Sequence, residues 1–177
     1  MGISVRKGYL REETDSLRSI ARIVRERGFS PLFLNHSFHP GNPETDDREF
    51  VARLAEEEGM ASTDSLSASL DAYRSLDAVI AMRLHAGVLS FVNGIPFFLL
   101  SYSKKTDAFA ERVGSPWILA ASEFDETAFS EAFDRFITEY GESRVPFFAL
   151  KEKYGRIREE TRNSFDDTFY GLESAEK

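Results

Sequence analysis

The sequence holds no cysteine among its 177 residues. Disulfides, thiolate nucleophiles and sulfur-ligated zinc are therefore excluded, and a reducing compartment costs the fold nothing. Glycine-rich phosphate loops are missing too, since neither the Walker pattern nor G-x-G-x-x-G occurs. Apolar runs such as residues 95–100 fall far short of the roughly 20 residues that cross a bilayer. The opening apolar run, residues 3–5, gives way at once to Arg6 and Lys7, which is not the build of a secretion signal. A cytoplasmic protein without a transmembrane segment is the expectation. Basic charge is in deficit as well: 22 Lys and Arg stand against 30 Asp and Glu, a formal net charge of -8. General attraction to nucleic acid is therefore not expected, because it rests on clustered cations. Net charge leaves open a local basic pocket for a small anion.

What is present is ordinary for a folded domain: 42% hydrophobic and 29% charged residues, enough for one substantial core. Residues 2–6 read as a buried strand. Residues 12–27 carry Leu17, Ile20, Ala21 and Val24 at helical spacing, closed by Gly28. Residues 31–34 form a second apolar run, and residues 47–58 a helix with Phe50, Val51 and Leu54 on one face. Helical residues 66–76 lead to the strand 78–82, then a nearly all-apolar helix through Val92, the turn at Asn93 and Gly94, and a strand at 95–100. A helix over 103–113 and a short strand at 117–120 follow. Alternating strands and helices predict the α/β class, a Rossmann-like parallel sheet with helices on both faces, spanning residues 1–122. Beyond it, residues 123–177 read as a helical C-terminal extension packing on the sheet domain. Its aromatic stripe runs through Phe129, Phe133, Phe136 and Tyr140, with Phe165, Phe169 and Tyr170 further on.

Ligands of such a sheet gather beyond the carboxyl ends of its strands, so the residues there are the candidates. Arg83 and His85 stand where a buried strand enters a buried helix. That junction favours an anion, because helix N-terminal N–H groups and the macrodipole point positive charge at it. Arg83 has the fork to grip a carboxylate or phosphate. A histidine bonded to backbone, or an arginine paired with Asp77, reads the same residues structurally. Arg6 closes the first strand and faces the same crevice if the two strands are neighbours; a solvated strand-end arginine is the alternative. Tyr102 and Lys105 follow another strand, at a helix start that Ser103 or Thr106 also suits as a cap. The loop 35–41 offers Asn35, His36 and His39. With Asp46 and Asp47 well separated from them and no ligand spacing, it reads as a substrate-contacting loop and not as a metal site.

Taken in order, Gly2-Ile3-Ser4-Val5-Arg6, Asp77-Ala78-Val79-Ile80-Ala81-Met82-Arg83-Leu84-His85, Gly94-Ile95-Pro96 and Ser101-Tyr102-Ser103-Lys104-Lys105-Thr106-Asp107-Ala108-Phe109 resemble the polysaccharide pyruvyl transferase family. The resemblance spans about residues 2–114. It implies a two-domain GT-B-like enzyme of which this chain is the second, donor-binding half, incomplete and inactive alone. It also implies phosphoenolpyruvate as donor substrate, with no further cofactor and no metal. Arg6, Arg83 and His85 fall on the positions implied to hold that donor, with Leu84 between them and Lys105 as a looser candidate. His85 is the implied catalytic acid or base, and Tyr102 and Asn35 complete the candidate site. The family pattern often has Asp-Pro where Ser103 and Lys104 stand here. Expected partners are a polysaccharide or lipid-linked glycan acceptor and a separate N-terminal domain, or a homodimer across the cleft face. Two other readings remain at this point: a glycosyltransferase domain binding a nucleotide sugar, and a non-catalytic binding or assembly module.

Overall fold

A computed structural model of the chain describes residues 1–37 and 46–142. His39, and Phe165, Phe169 and Tyr170 of the aromatic stripe, lie outside them. The elements alternate as expected: β1 (Gly2–Ser4), α1 (Glu13–Glu26), β2 (Leu32–Phe33), α2 (Arg48–Glu57), β3 (Ala61–Ser62), α3 (Leu66–Ala72), β4 (Val79–Ala81), α4 (Leu84–Asn93), β5 (Phe97–Ser101), α5 (Lys104–Val113), β6 (Ile118–Ala120) and α6 (Glu126–Glu142). A single 3-10 turn, Ala121–Glu123, joins β6 to α6. All six strands pair in parallel, in the order β3-β2-β1-β4-β5-β6. This is the doubly wound order of the Rossmann type, in which the chain starts at the middle, builds outward on one side and then returns to build on the other.

The strands are short but buried on both faces, so successive side chains feed two different layers. In β5, Phe98 and Leu100 join a core with Ile3, Val5, Phe33 and Ile80, with Leu17, Ile20 and Val24 of α1, and with Val51 and Leu54 of α2. Phe97 and Leu99 face the opposite way: Phe97 stacks on Phe109 of α5 at 5.7 Å. Helix α4 approaches this second face closely. A Cβ on Gly87 would stand 3.1 Å from both Leu99 and Phe109.

Helix α6 shares the first core. Phe129, Phe133 and Phe136 are fully buried and surround Phe98, with ring centroids 5.7, 6.4 and 5.9 Å away in edge-on geometry. Arg27 at the end of α1 reaches both carboxylate oxygens of Asp134 at 2.9 Å, and Trp117 donates to Glu139 at 3.0 Å. The described residues up to Glu142 therefore belong to one compact unit.

The sequence reading lacks β3. Ala61 and Ser62 are both exposed and carry no apolar run; they form a strand because the edge of β2 offers backbone partners, Thr63 N–H donating to Phe33 O at 2.9 Å. Pro96 lies just before β5, where Val79 N–H donates to its carbonyl at 2.9 Å and no N–H is asked of it.

Candidate active site

Strand order reverses between β1 and β4, so the loops leaving these two strands diverge and open a crevice at their carboxyl ends. Ser4 is in register with Ala81, which puts Arg6 and Arg83, each two residues on, at one level of adjacent strands. Met82 N–H donates to Ser4 O at 2.8 Å, and Arg6 N–H reaches Met82 Sδ at 3.5 Å. Both arginines are thus brought to the mouth of one crevice.

Their surroundings differ. Arg83 donates through Nε to Asp47 Oδ2 at 2.7 Å and to the Val5 carbonyl at 3.2 Å, and its Nη2 closes an ion pair on the same carboxylate. The side chains of Arg83 and Asp47 are 13% and 2% exposed, so this is a buried pair. Arg83 thus already has an internal carboxylate partner, one that the sequence pattern does not point to. Nor is that carboxylate Asp77, which stands at the amino end of β4 and acts on the N-terminal amine. Asp47 immediately precedes α2 but does not cap it. Its other oxygen takes the Lys7 N–H at 3.3 Å, so one carboxylate ties the loop after β1 to the strand end of β4. Glu13 adds a second tie by accepting the Gly8 N–H at 2.6 Å. Burial raises the carboxyl pKa of Glu13, the Gly8 N–H opposes that, and the nearby Asp47 charge adds to the rise.

Arg6 is half-buried, with its guanidinium carbon 5.9 Å from the centre of the Tyr9 ring, an arrangement that favours a cation over an aromatic face. Tyr9 in turn packs on Tyr102, centroids 4.2 Å apart. His85 is exposed in the first turn of α4. That helix has no side-chain cap at its N-cap residue, Arg83. The N–H groups of Leu84 and His85 have no partner among the described residues, whereas Ala86 N–H donates to Arg83 O at 3.0 Å. The half-buried Leu84 therefore offers the crevice its backbone.

Asn35 and His36 serve the neighbouring loop differently. Asn35 is buried, its Oδ1 accepting the Ser37 N–H at 3.4 Å, its own N–H donating to Thr63 Oγ1 at 2.9 Å and its carbonyl accepting from Ser69 Oγ at 2.7 Å. It shapes the end of β2. His36 places Nδ1 3.0 Å from Ser4 Oγ and Nε2 3.0 Å from the Tyr73 hydroxyl, so both ring nitrogens are engaged. Burial, and then the charge of Arg83, push its pKa down to about 4. It is neutral at physiological pH. Burial likewise raises the Tyr73 phenol.

Beyond β5 and β6 a second hollow, about 310 Å³, is lined by Tyr9, Ser101, Tyr102, Ser103, Lys104, Asp107 and the turn 120–122. Tyr102 belongs to it. Lys105 is exposed on α5 and does not line it; its neighbour Lys104 does. The structure thus brings Arg6, Arg83, Leu84 and His85 to one crevice, sets Tyr102 beside it through Tyr9, and leaves Lys105 and Asn35 on its flanks. Asp47, Tyr9, Ser4 and Tyr73 were not among the sequence candidates for this site, and His36, read as part of a substrate-contacting loop, is bonded to Ser4 and Tyr73.

The fold defines a doubly wound α/β protein, a class whose ligands gather in the crevice where the strand order reverses. Within that class, the family model for polysaccharide pyruvyl transferase matches residues 3–104. This is more than half of the chain, and the chain belongs to that family. The matched segment includes Arg6, Arg83, Leu84, His85 and Tyr102, and ends just before Lys105. Neither the curated proteins nor the solved structures compared with the chain match it. Among the described residues no helix is long and apolar enough to cross a membrane.

Proposed function

We propose that this chain is the donor-binding half of a pyruvyl transferase, seating phosphoenolpyruvate at the carboxyl ends of β1 and β4 and passing its pyruvyl group to two hydroxyls of a glycan. The observation that carries the reading is the pairing of Arg6 and Arg83 at one level of the two central strands, beside the uncapped N-terminus of α4. Phosphoenolpyruvate has a phosphate and a carboxylate, and the Arg6 guanidinium with the α4 amides offers positive charge to such a dianion. Asp47 lowers the net charge of the crevice but fixes the direction of the Arg83 fork, so that guanidinium is held before any ligand arrives. Arg6, His85 and the N–H groups of Leu84 and His85 then meet the donor, with Tyr102 and Lys105 at its edge and Asn35 holding the adjoining loop.

In the reaction a proton is delivered to the methylene carbon, which becomes the methyl group. The oxygen of a first hydroxyl attacks the adjacent carbon, the carbon–oxygen bond to phosphate breaks, and a second hydroxyl closes the ketal. The two hydroxyl protons balance the one gained by carbon and the one leaving with phosphate. His85, exposed in the first turn of α4 at the crevice, carries an imidazole that can hold and release a proton and so suits the transfer to carbon. In the two-domain arrangement of the family resemblance, an acceptor-side domain faces this half across the cleft.

Calorimetry on the chain tests the donor. Phosphoenolpyruvate is expected to bind, and Arg6→Ala to weaken it by about tenfold or more. Binding of a uridine or guanosine diphosphate sugar in its place would turn the reading to glycosyl transfer. His85→Ala is expected to abolish most turnover in the assembled enzyme, and full turnover would remove that residue from the chemistry.

A further inference from the structure

We infer that the hollow beyond β5 and β6 is a saccharide subsite that holds one uncharged ring of the acceptor next to the donor crevice. The inference rests on the pyruvyl-transfer reading and adds to it where the acceptor lies on this half. Its lining is the first argument. Two tyrosines, three serines, one lysine and one aspartate surround it, so its ionic groups cancel, in contrast to the arginine-bearing crevice. An uncharged ligand with many hydroxyls matches such a lining, because Ser and Tyr hydroxyls both donate and accept, Lys104 only donates and Asp107 only accepts. Aromatic faces suit the C–H faces of a sugar ring, and a Tyr ring offers a polar tip besides. About 310 Å³ lies at the small end of ligand pockets and suits a single pyranose rather than a long chain.

Position is the second argument. Tyr9 lines this hollow and also lies under the Arg6 guanidinium, 5.9 Å from ring centre to carbon. The two sites are therefore separated by one aromatic side chain, and a hydroxyl of a ring seated here would face a donor seated there. The third argument is where the family match ends. Tyr9 and Ser101 to Lys104 lie inside the matched segment, while Asp107 and the turn 120–122 lie outside it. A lining drawn partly from the shared segment and partly from outside it suits a site that selects among acceptors, a task apart from the common donor chemistry.

Titration of the isotope-labelled 177-residue chain with methyl glycosides of glucose, galactose, mannose and their N-acetylated amino forms tests this, with phosphoenolpyruvate titrated into the same samples. The expected result is that at least one glycoside perturbs Tyr9, Tyr102 and Ser122 signals. Ser122→Trp, which fills the hollow from its exposed rim, should then weaken that glycoside by about tenfold, and Asp107→Ala severalfold, with phosphoenolpyruvate affinity held within about twofold. An equal loss of phosphoenolpyruvate in Ser122→Trp would make the hollow part of the donor site and overturn the inference. Binding of phosphoenolpyruvate without any glycoside response would overturn it while leaving the donor reading standing. Binding of neither would remove both.

Discussion

The two halves of the sheet's carboxyl edge are built on opposite plans. Around β1, β2 and β4 the loops are stitched by buried polar contacts: Asp47 to Arg83 and Lys7, His36 to Ser4 and Tyr73, and Asn35 with Thr63 and Ser69 to one another. Around β5 and β6 the polar contacts are local, within residues 101–107, from Ser101 to Asp107 and from Ser103 to Thr106, while the aromatic ones lie near the surface, with Tyr9 44% exposed and an open hollow between the loops. Buried networks hold their members in one arrangement, at a high cost if any partner is lost. An open aromatic rim costs little to alter and leaves room for shape to vary. The difference separates a half that fixes charged groups in place from a half whose lining is free to vary in shape.

The sharpest way to break that contrast is Asp47→Ala. Removing one member of a pair whose side chains are 13% and 2% exposed leaves a buried cation, and a loss of about 3–5 kcal/mol in urea unfolding is expected. Asp47→Leu combined with Arg83→Met should recover most of it; a single variant within about 0.5 kcal/mol of the parent would mean that the pair is not a buried one.

Next in size is the pH dependence contributed by His36. Its pKa is about 4 in the fold against 6.5 ordinarily, so between these values the unfolded chain holds a proton that the folded chain does not. Stability is then complete above about pH 6.5 and declines as pH falls toward 4, by on the order of 3 kcal/mol. His36→Asn should flatten this part of the profile. Parallel losses in parent and variant across that window would show that other groups are responsible.

The smallest effect belongs to the other half: Tyr9→Ala is expected to cost less than about 1 kcal/mol in thermal or urea unfolding, as its ring is largely at the surface. A loss as large as that of Asp47→Ala would erase the distinction between the halves.

Much of the fold was legible because its strands are apolar runs and its helices carry apolar stripes. β1, β4 and β5, the arginines at the ends of two of them, and the aromatic face of α6 all follow from local pattern. β3 did not, since two exposed residues have no pattern, and their strand state comes from β2. The crevice was legible in its cations and obscure in its carboxylate. Asp47 sits just ahead of α2, where an acidic residue ordinarily caps or complements a helix start, and only the return of the chain past Arg83, 36 residues on, turns it toward an arginine. For the same reason Ser4, His36 and Tyr73 read as a strand residue, a loop residue and a helix-end aromatic. Their connection depends on β1 and β2 being neighbours, with Tyr73 brought over them from the end of α3.

The absence of a side chain at Gly87 also sets an elevation. Because helix α4 rests almost directly on Leu99 and Phe109, its first turn is lowered to the level at which the central strands end, and its amide hydrogens open onto the crevice instead of above it. One added methyl group would act as a shim under the helix. The reach of the proposed anion seat is thus governed from beneath, by the close approach that Gly87 permits.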